Sequence, residues 1–496
     1  MSWKDTAEPV LVRMPAVRRP EGHVPFKRKL MWTGGVLVLY FYLSNILLFG
    51  LNFDPNQGSI YGQFSSILGA NQGSIMQLGI GPIVTASIVL QLLGGADLLG
   101  LDTQNNPRDQ ILYQGLQKLL VLVMICLTGL PMVFAGNFLP AQSVNLFGAQ
   151  LGVGVVQWLI FAQIFVGGVL ILFMDEVISK WGVGSGIGLF IIAGVSQRLI
   201  GGLFTFPAIG GQTRGFFATW IGIILGDIPT GPILAADGLQ FVFSNEGGMI
   251  LPLITTVLIF VVVVYAESVR VEIPLSNARV KGARGRFPVK LIYASVLPMI
   301  LVRALQANIQ FLGRILYSQL GGLPPWLGTY ATRGGNPTQP TGGLFYYMAP
   351  IQSPEQWMWW AGASQEIWQI FIRIGVDLTF MVIGGAIFAV FWVETTDMGP
   401  EATAQQIHNS GMQIPGFRQN VGVIEKVLER YIPQVTVIGG ALVGLLAVMA
   451  NMLGTIGQVS GTGLLLTVSI TYKLYEEIAE EQLMEMHPAM RRMFGD

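Results

Sequence analysis

The chain has 496 residues, 52% hydrophobic and only 11% charged, with a mean hydropathy of +0.58. Soluble domains carry roughly 25% charged residues, so the composition excludes an ordinary soluble enzyme or binding module and points to a polytopic membrane protein. The formal net charge of zero says little about partners, because the charges sit almost entirely between the apolar runs. The lone cysteine, Cys126, permits no intramolecular disulfide, and His23, His408 and His487 all fall in tails or loops, a poor basis for a metal site.

Helices crossing ~30 Å of hydrocarbon need about 20 apolar residues each. After a basic tail, 1–29, the first apolar run begins near Leu30 and lacks a small-residue cleavage site, which predicts a retained span. Ten helical spans follow, at about 30–50, 75–93, 113–135, 151–174, 184–204, 249–266, 289–312, 366–393, 434–453 and 458–474. The helix reading rests on length: alternating ten-residue barrel strands are absent. With the N-terminus placed in the cytoplasm, the inside segments hold 21 of the 28 basic residues, so both termini are expected there.

The second span, SIMQLGIGPIVTASIVLQLL, places Gly79, Gly81 and Pro82 near its middle. Glycine and proline weaken a helix interior by about 1 and 3 kcal/mol relative to alanine. Such a break is tolerated where it faces protein or water and not lipid. Before it, residues 59–71 are apolar enough for a short helix but too short to span. Two inside loops stand out. Residues 267–290 are strongly basic, and 394–433 is longer than topology anchoring requires and offers surface to a partner.

An internal repeat organises the spans. The fifth opens with SGIGL from Ser185 and the tenth with SGTGL from Ser460, while Pro82 of the second is matched by Pro298 of the seventh. Five spans per half make the halves inverted, and interrupted helices at corresponding positions mark the pathway between them. The expected fold is therefore an all-α membrane protein of ten spans, two inverted five-helix halves around a central pore. The halves cover 30–204 and 249–474, an extracellular loop fills 205–248, and a cytoplasmic tail follows from 475.

The stretches LGIGPIVTASIVLQLL, MDEVISKWGVGSGIGLFI, VYAESVRVEIPL, FWVETT and LLLTVSITYKLYEE resemble the SecY family, the central subunit of the protein-translocation channel, in an archaeal form, from about residue 25 onward. That resemblance implies an hourglass closed at its waist by a ring of aliphatic side chains, here Ile80, Val84, Val183, Ile187, Ile300 and Leu466; the family favours isoleucine where Val183 stands. It implies a plug at 59–71, with Ser59, Ile60, Phe64, Ile67 and Leu68, and a polar cluster at a lateral gate, Thr85, Gln117 and Asn308. It also implies docking of ribosomes or motor partners at the inside loops through Arg279, Lys281, Arg284, Arg286 and Arg418. Implied partners are SecE-type and small beta-type subunits, signal sequences, nascent chains and membrane lipids. No cofactor or catalysis is implied, and the implied location is the plasma membrane. The physics is consistent: Ile80 and Val84 are i, i+4, as are Val183 and Ile187, and an aliphatic constriction gates by dewetting.

GVGSGIG (182–188) imitates a dinucleotide-binding turn but opens an apolar span after a charged loop, the wrong context. Arg303, Arg373 and Asp377 lie inside spans, where charges are rare and usually pair or face water. Arg303 is compatible with three roles: pairing with Asp377, facing a watery funnel, or coupling ions in a transporter. Lys118 is placed to snorkel to the interface. The rival function is an inverted-repeat secondary transporter of a small solute, which needs a polar or charged midplane site where this chain has glycines and aliphatics.

Overall fold

In the computed structural model the described residues are 8–9, 11–22, 24–51, 73–95, 100, 106–134, 143–146, 149–205, 215–226, 242, 248–277, 284–291, 297–333, 336–359, 365–396, 398–409, 412–413 and 420–486. Among them the chain is mostly helical. Helices α1 (Phe26–Ser44), α2 (Gly81–Gly95), α3 (Pro107–Phe134), α4 (Val153–Trp181) and α5 (Gly186–Phe204) occupy the first five predicted spans. A short apolar helix, α6 (Phe216–Leu225), precedes α7 (Ile250–Ser268), α8 (Leu297–Leu320), the single turn α9 (Leu344–Tyr347) and α10 (Ile367–Thr395). The remaining helices are α11 (Pro400–Asn409), α12 (Val421–Leu453) and α13 (Gly461–Met486). Six of these, α3, α4, α5, α7, α10 and α12, are long and apolar enough to cross a membrane. Apolar side chains on their outer faces, such as Phe371 at 62% and Ile383 at 52% exposure, suit a lipid environment.

The expectation of an all-α chain is corrected by three small antiparallel sheets. Strands β1 (Val144–Leu146) and β2 (Ala149–Leu151) pair, as do β5 (Thr329–Arg333) and β6 (Asn336–Gly342). The third sheet joins the two long loops, 267–290 and 394–433. β3 (Arg270–Asn277) and β4 (Arg284–Lys290) form a hairpin in the first loop, and β7 (Met412–Gln413) from the second adds to β3 through Ser276↔Gln413 and Asn277↔Met412. Charge counting groups these loops but gives no strands: β3, with one Arg and one Glu, and β4, with three basic residues, do not stand out by hydropathy.

The second loop is also more helical than expected. It contains α11 and the first turns of α12, which meet the end of α10 in a separate apolar cluster of Ala389, Val393, Ala404, Ile407, Ile424, Leu428 and Ile432. At the N-terminal end, Leu11 is buried against α3, where a Cβ on Gly115 would lie 2.8 Å from the Leu11 carbonyl oxygen. Lys118 Nζ donates to Glu176 at 2.9 Å and to the Pro15 carbonyl of the N-terminal segment at 3.1 Å.

The glycine–proline step of the second span does not break the middle of a helix. Residues 75–80 run as turns, Gly79 takes φ +52°, and α2 starts at Gly81. Pro82 therefore lies in a first turn, where its missing N–H costs nothing. Pro298 is likewise the second residue of α8. The close approaches lie elsewhere. Where α10 crosses α12, a Cβ on Gly385 would stand 2.6 Å from the Gly440 carbonyl oxygen, and one on Gly440 2.5 Å from that of Gly385.

Candidate functional site

The six ring positions cluster at the starts of four helices. Ile80 immediately precedes α2 and Val84 is in its first turn; Val183 precedes α5 and Ile187 is its second residue. Ile300 lies in the first turn of α8 and Leu466 in the second turn of α13. Ile80, Val84, Ile300 and Leu466 are buried in one continuous apolar core, at 0–4% exposure, with half-buried Ile187 packed on its margin. Val183 is buried but stands outside that core, and its amide donates to Thr33 Oγ1 of α1 at 3.0 Å.

The first amides of a helix have no partner within it, so these four helix starts need acceptors. Two come from side chains that sequence reasoning missed. Asp175 of α4 accepts from the amide of Ile187, the second residue of α5, at 3.0 Å. Asn451 of α12 accepts from the amide of Thr462, the second residue of α13, at 2.9 Å. The spacing from acceptor to amide is 12 residues in one case and 11 in the other. The SGIGL/SGTGL match is thus a match of helix starts, each capped from the preceding long helix. The findable signal was a short polar side chain, Asp or Asn, about three turns upstream of each motif.

Of the three residues expected at a lateral gate, Asn308 and Thr85 meet, whereas Gln117 bonds a different residue of α2. Asn308 Nδ2 of α8 donates to Thr85 Oγ1 of α2 at 3.4 Å. Gln117 Nε2 of α3 donates to Ser87 Oγ of α2 at 3.4 Å. Both contacts lie beyond the usual hydrogen-bond range, so each is weak. The polar contact between α2 and α8 shown among the described residues is thus a long one.

A stronger polar network lies beside it. Arg303 is 1% exposed and donates through Nε to Thr462 Oγ1 at 3.1 Å and through Nη1 to Gln306 Oε1 at 2.6 Å. Gln306 Nε2 donates in turn to Asp377 Oδ1 at 3.1 Å, and Arg303 Nη1 stands 3.5 Å from the same oxygen. Of the three roles open to Arg303, pairing with Asp377 is the one this arrangement has, and its burial is incompatible with a watery funnel. Arg373 does not share Asp377. It binds the carbonyls of Ala349 and Pro350 at 3.2 and 3.0 Å and lies over the Tyr346 ring. Thr462 also accepts from Asn451 Nδ2 at 2.9 Å, so the network ties α8, α10, α12 and α13 together.

The plug, 59–71 with Ser59, Ile60, Phe64, Ile67 and Leu68, lies outside the described residues, as do Arg279, Lys281 and Arg418. Arg284 and Arg286 are on β4, opposite Ser276 and Pro274 of β3. Among the described residues no group of three or more His, Cys, Asp or Glu comes together.

Residues 74–475 match the family model for SecY. The chain belongs to the SecY family. It is 78% identical, over the full length of both chains, to the protein translocase subunit SecY of Haloarcula marismortui. Its fold is similar to that of a solved protein-conducting channel, with TM-score 0.76 and 38% identity, covering 97% of this chain and 98% of the other. It is similar, at TM-score 0.74 and 38% identity over the same shares, to Sec61 in the canine ribosome–channel complex from the endoplasmic reticulum. As a SecY translocase subunit it is a multi-pass membrane protein and a protein-conducting channel, neither an enzyme nor a solute transporter.

Proposed function

We propose that this chain is the central pore of a passive, gated Sec channel that moves unfolded secretory proteins across the plasma membrane and releases membrane segments sideways into lipid. Ten spans in two inverted halves, both termini cytoplasmic, form the pore; Ile80, Val84, Val183, Ile187, Ile300 and Leu466 close its waist. Residues 59–71 plug the outer side, and the seam at Thr85, Gln117 and Asn308 is the lateral exit. The basic hairpin β3–β4, with Arg279, Lys281, Arg284 and Arg286, and the loop carrying Arg418 dock a ribosome, as the canine relative's complex suggests. SecE-type and small beta-type subunits complete the assembly.

The observation that supports the reading is that Ile80, Val84, Ile300 and Leu466, at the starts of three helices, are all buried at 0–4% exposure within the apolar core. Aliphatic side chains at a constriction exclude water and ions at rest yet bond to no particular sequence, so they yield to any polypeptide. A signal sequence presents 7–15 apolar residues, whose partition into lipid through a weakly bonded seam drives opening. The test is polar replacement: Ile80→Asn, Ile300→Asn and Leu466→Asn, singly and together, in channels reconstituted into planar bilayers. Resting ion conductance rises, and a secretory precursor stalled in transit crosslinks to position 80 or 300. A membrane as ion-tight as that with the unaltered chain, and no crosslink, would refute it.

A further inference from the structure

The base of the β3–β4 hairpin is fastened to α13 at one residue. Arg270 and Lys290 are the first and last residues of the two strands and pair with each other in the ladder. Both reach Glu476: Arg270 Nη2 stands 3.2 Å from its Oε1, and Lys290 Nζ bonds its Oε2. Tyr472, one turn earlier on the same face of α13, accepts from Arg270 Nη2 at 3.4 Å, and its ring lies under Lys290 Nζ. Towards the hairpin's other end, among the described residues, the sheet gains two residue pairs to β7. The arm is roughly 20 Å long by strand rise, so a small angular freedom at the base becomes a large displacement where Arg284 stands.

We propose that Glu476 is a positioning residue that aims the basic hairpin at its anionic partner by locking both strand ends to α13. It touches no partner itself. The proposal rests on the docking reading above. It matters beyond docking because α13 is one continuous helix from Gly461 to Met486 and also carries Leu466. About 15 Å of helix separates the clamp from that residue, so a load on the hairpin reaches the apolar core through a rigid strut.

The charge of Glu476 allows a test in which two explanations predict opposite signs. Glu476→Gln removes a negative charge beside a basic surface. Simple electrostatics then predicts tighter binding of a polyanion; positioning predicts weaker binding. Full-length channel in nanodiscs, with Cys126→Ser and spin labels at Ser276→Cys and Glu480→Cys, reports the hairpin-to-α13 distance. Ribosome binding is measured on the unlabelled protein. Glu476→Gln is expected to broaden the distance distribution and weaken ribosome binding about two- to fivefold, the range that ion pairs of such partial exposure carry. Glu476→Lys with Arg270→Glu and Lys290→Glu should restore the narrow distribution. An unbroadened distribution, or tighter ribosome binding, overturns the proposal. The docking reading is judged separately: if Arg284→Glu/Arg286→Glu leaves ribosome binding unchanged, that reading fails, while the distance distribution still decides whether Glu476 holds the arm.

Discussion

Removing Asp377 tests the buried network most directly. Arg303 and Asp377 have side-chain exposures of 1% and 0%. Breaking a buried pair by deleting one partner costs about 3–5 kcal/mol, because the surviving charge stays desolvated. Arg303 keeps Thr462 and Gln306 as acceptors, and Gln306 keeps the Met348 carbonyl at 3.0 Å. Asp377→Ala should therefore fall at the low end, about 3 kcal/mol. Asp377→Lys should be worse. Two like charges about 4 Å apart repel by roughly 4 kcal/mol at an effective dielectric of 20, and the reversed protein should fail to assemble. The double replacement Arg303→Met/Asp377→Leu removes both charges from an apolar surround and should recover most of the loss. Reversible unfolding of the purified channel in mixed micelles, followed by tryptophan fluorescence, measures all three. A single-variant loss below about 1 kcal/mol, or a double variant no more stable than Asp377→Ala, would show that the pair carries no buried charge burden.

Other expectations follow from the same geometry. Asp175→Ala and Asn451→Ala each uncap a helix start beside the waist and should cost about 1 kcal/mol. Asp175→Asn, which keeps an acceptor oxygen, should cost less; equal losses from Asn and Ala in the same unfolding assay would remove the capping account. Thr85→Val should loosen the α2–α8 seam by about 0.5 kcal/mol, the low end for a hydrogen bond, seen as faster crosslinking of a signal sequence at the seam. Unchanged crosslinking would show that apolar packing alone sets the barrier. Gly440→Ala forces apart a backbone crossing with no room for a methyl group. It should destabilise the α10–α12 pair by about 1–3 kcal/mol, and wild-type stability would mean that the helices can slide.

Much of the architecture was legible because a bilayer restricts the options. Apolar runs located the helices, and the SGIGL/SGTGL and proline correspondences marked equivalent helix starts. What those starts meant was misread. A hydropathy window cannot tell the first turn of a helix from its middle, so Pro82 looked like a break when it sits where proline is harmless. The sheet was illegible for another reason. β3 mixes Arg270, Glu272 and Pro274 with its apolar residues, β4 carries three basic residues, and β7 is two residues long and distant in sequence, so only tertiary pairing makes them strands. The ring positions rest on the motifs, and the i, i+4 argument for them does not carry over, because Ile80 and Val183 stand before their helices begin. Their polar support was not legible, because Asp175 and Asn451 act on amides rather than on a recognisable partner side chain. Pairing with Asp377 was one of three roles open to Arg303 until the helices were seen side by side, with Gln306 bridging the two charges.

The 33 residues of α12 make a rod of roughly 50 Å, against a hydrocarbon layer of ~30 Å. Pro433 interrupts its backbone hydrogen bonding just after Ile432, the last member of the apolar cluster formed with α11. That places the weakest point of the backbone hydrogen-bond ladder part-way along the rod. Val435, beyond it, packs on the same cluster, so side-chain contact splints the helix where its own backbone is least able to.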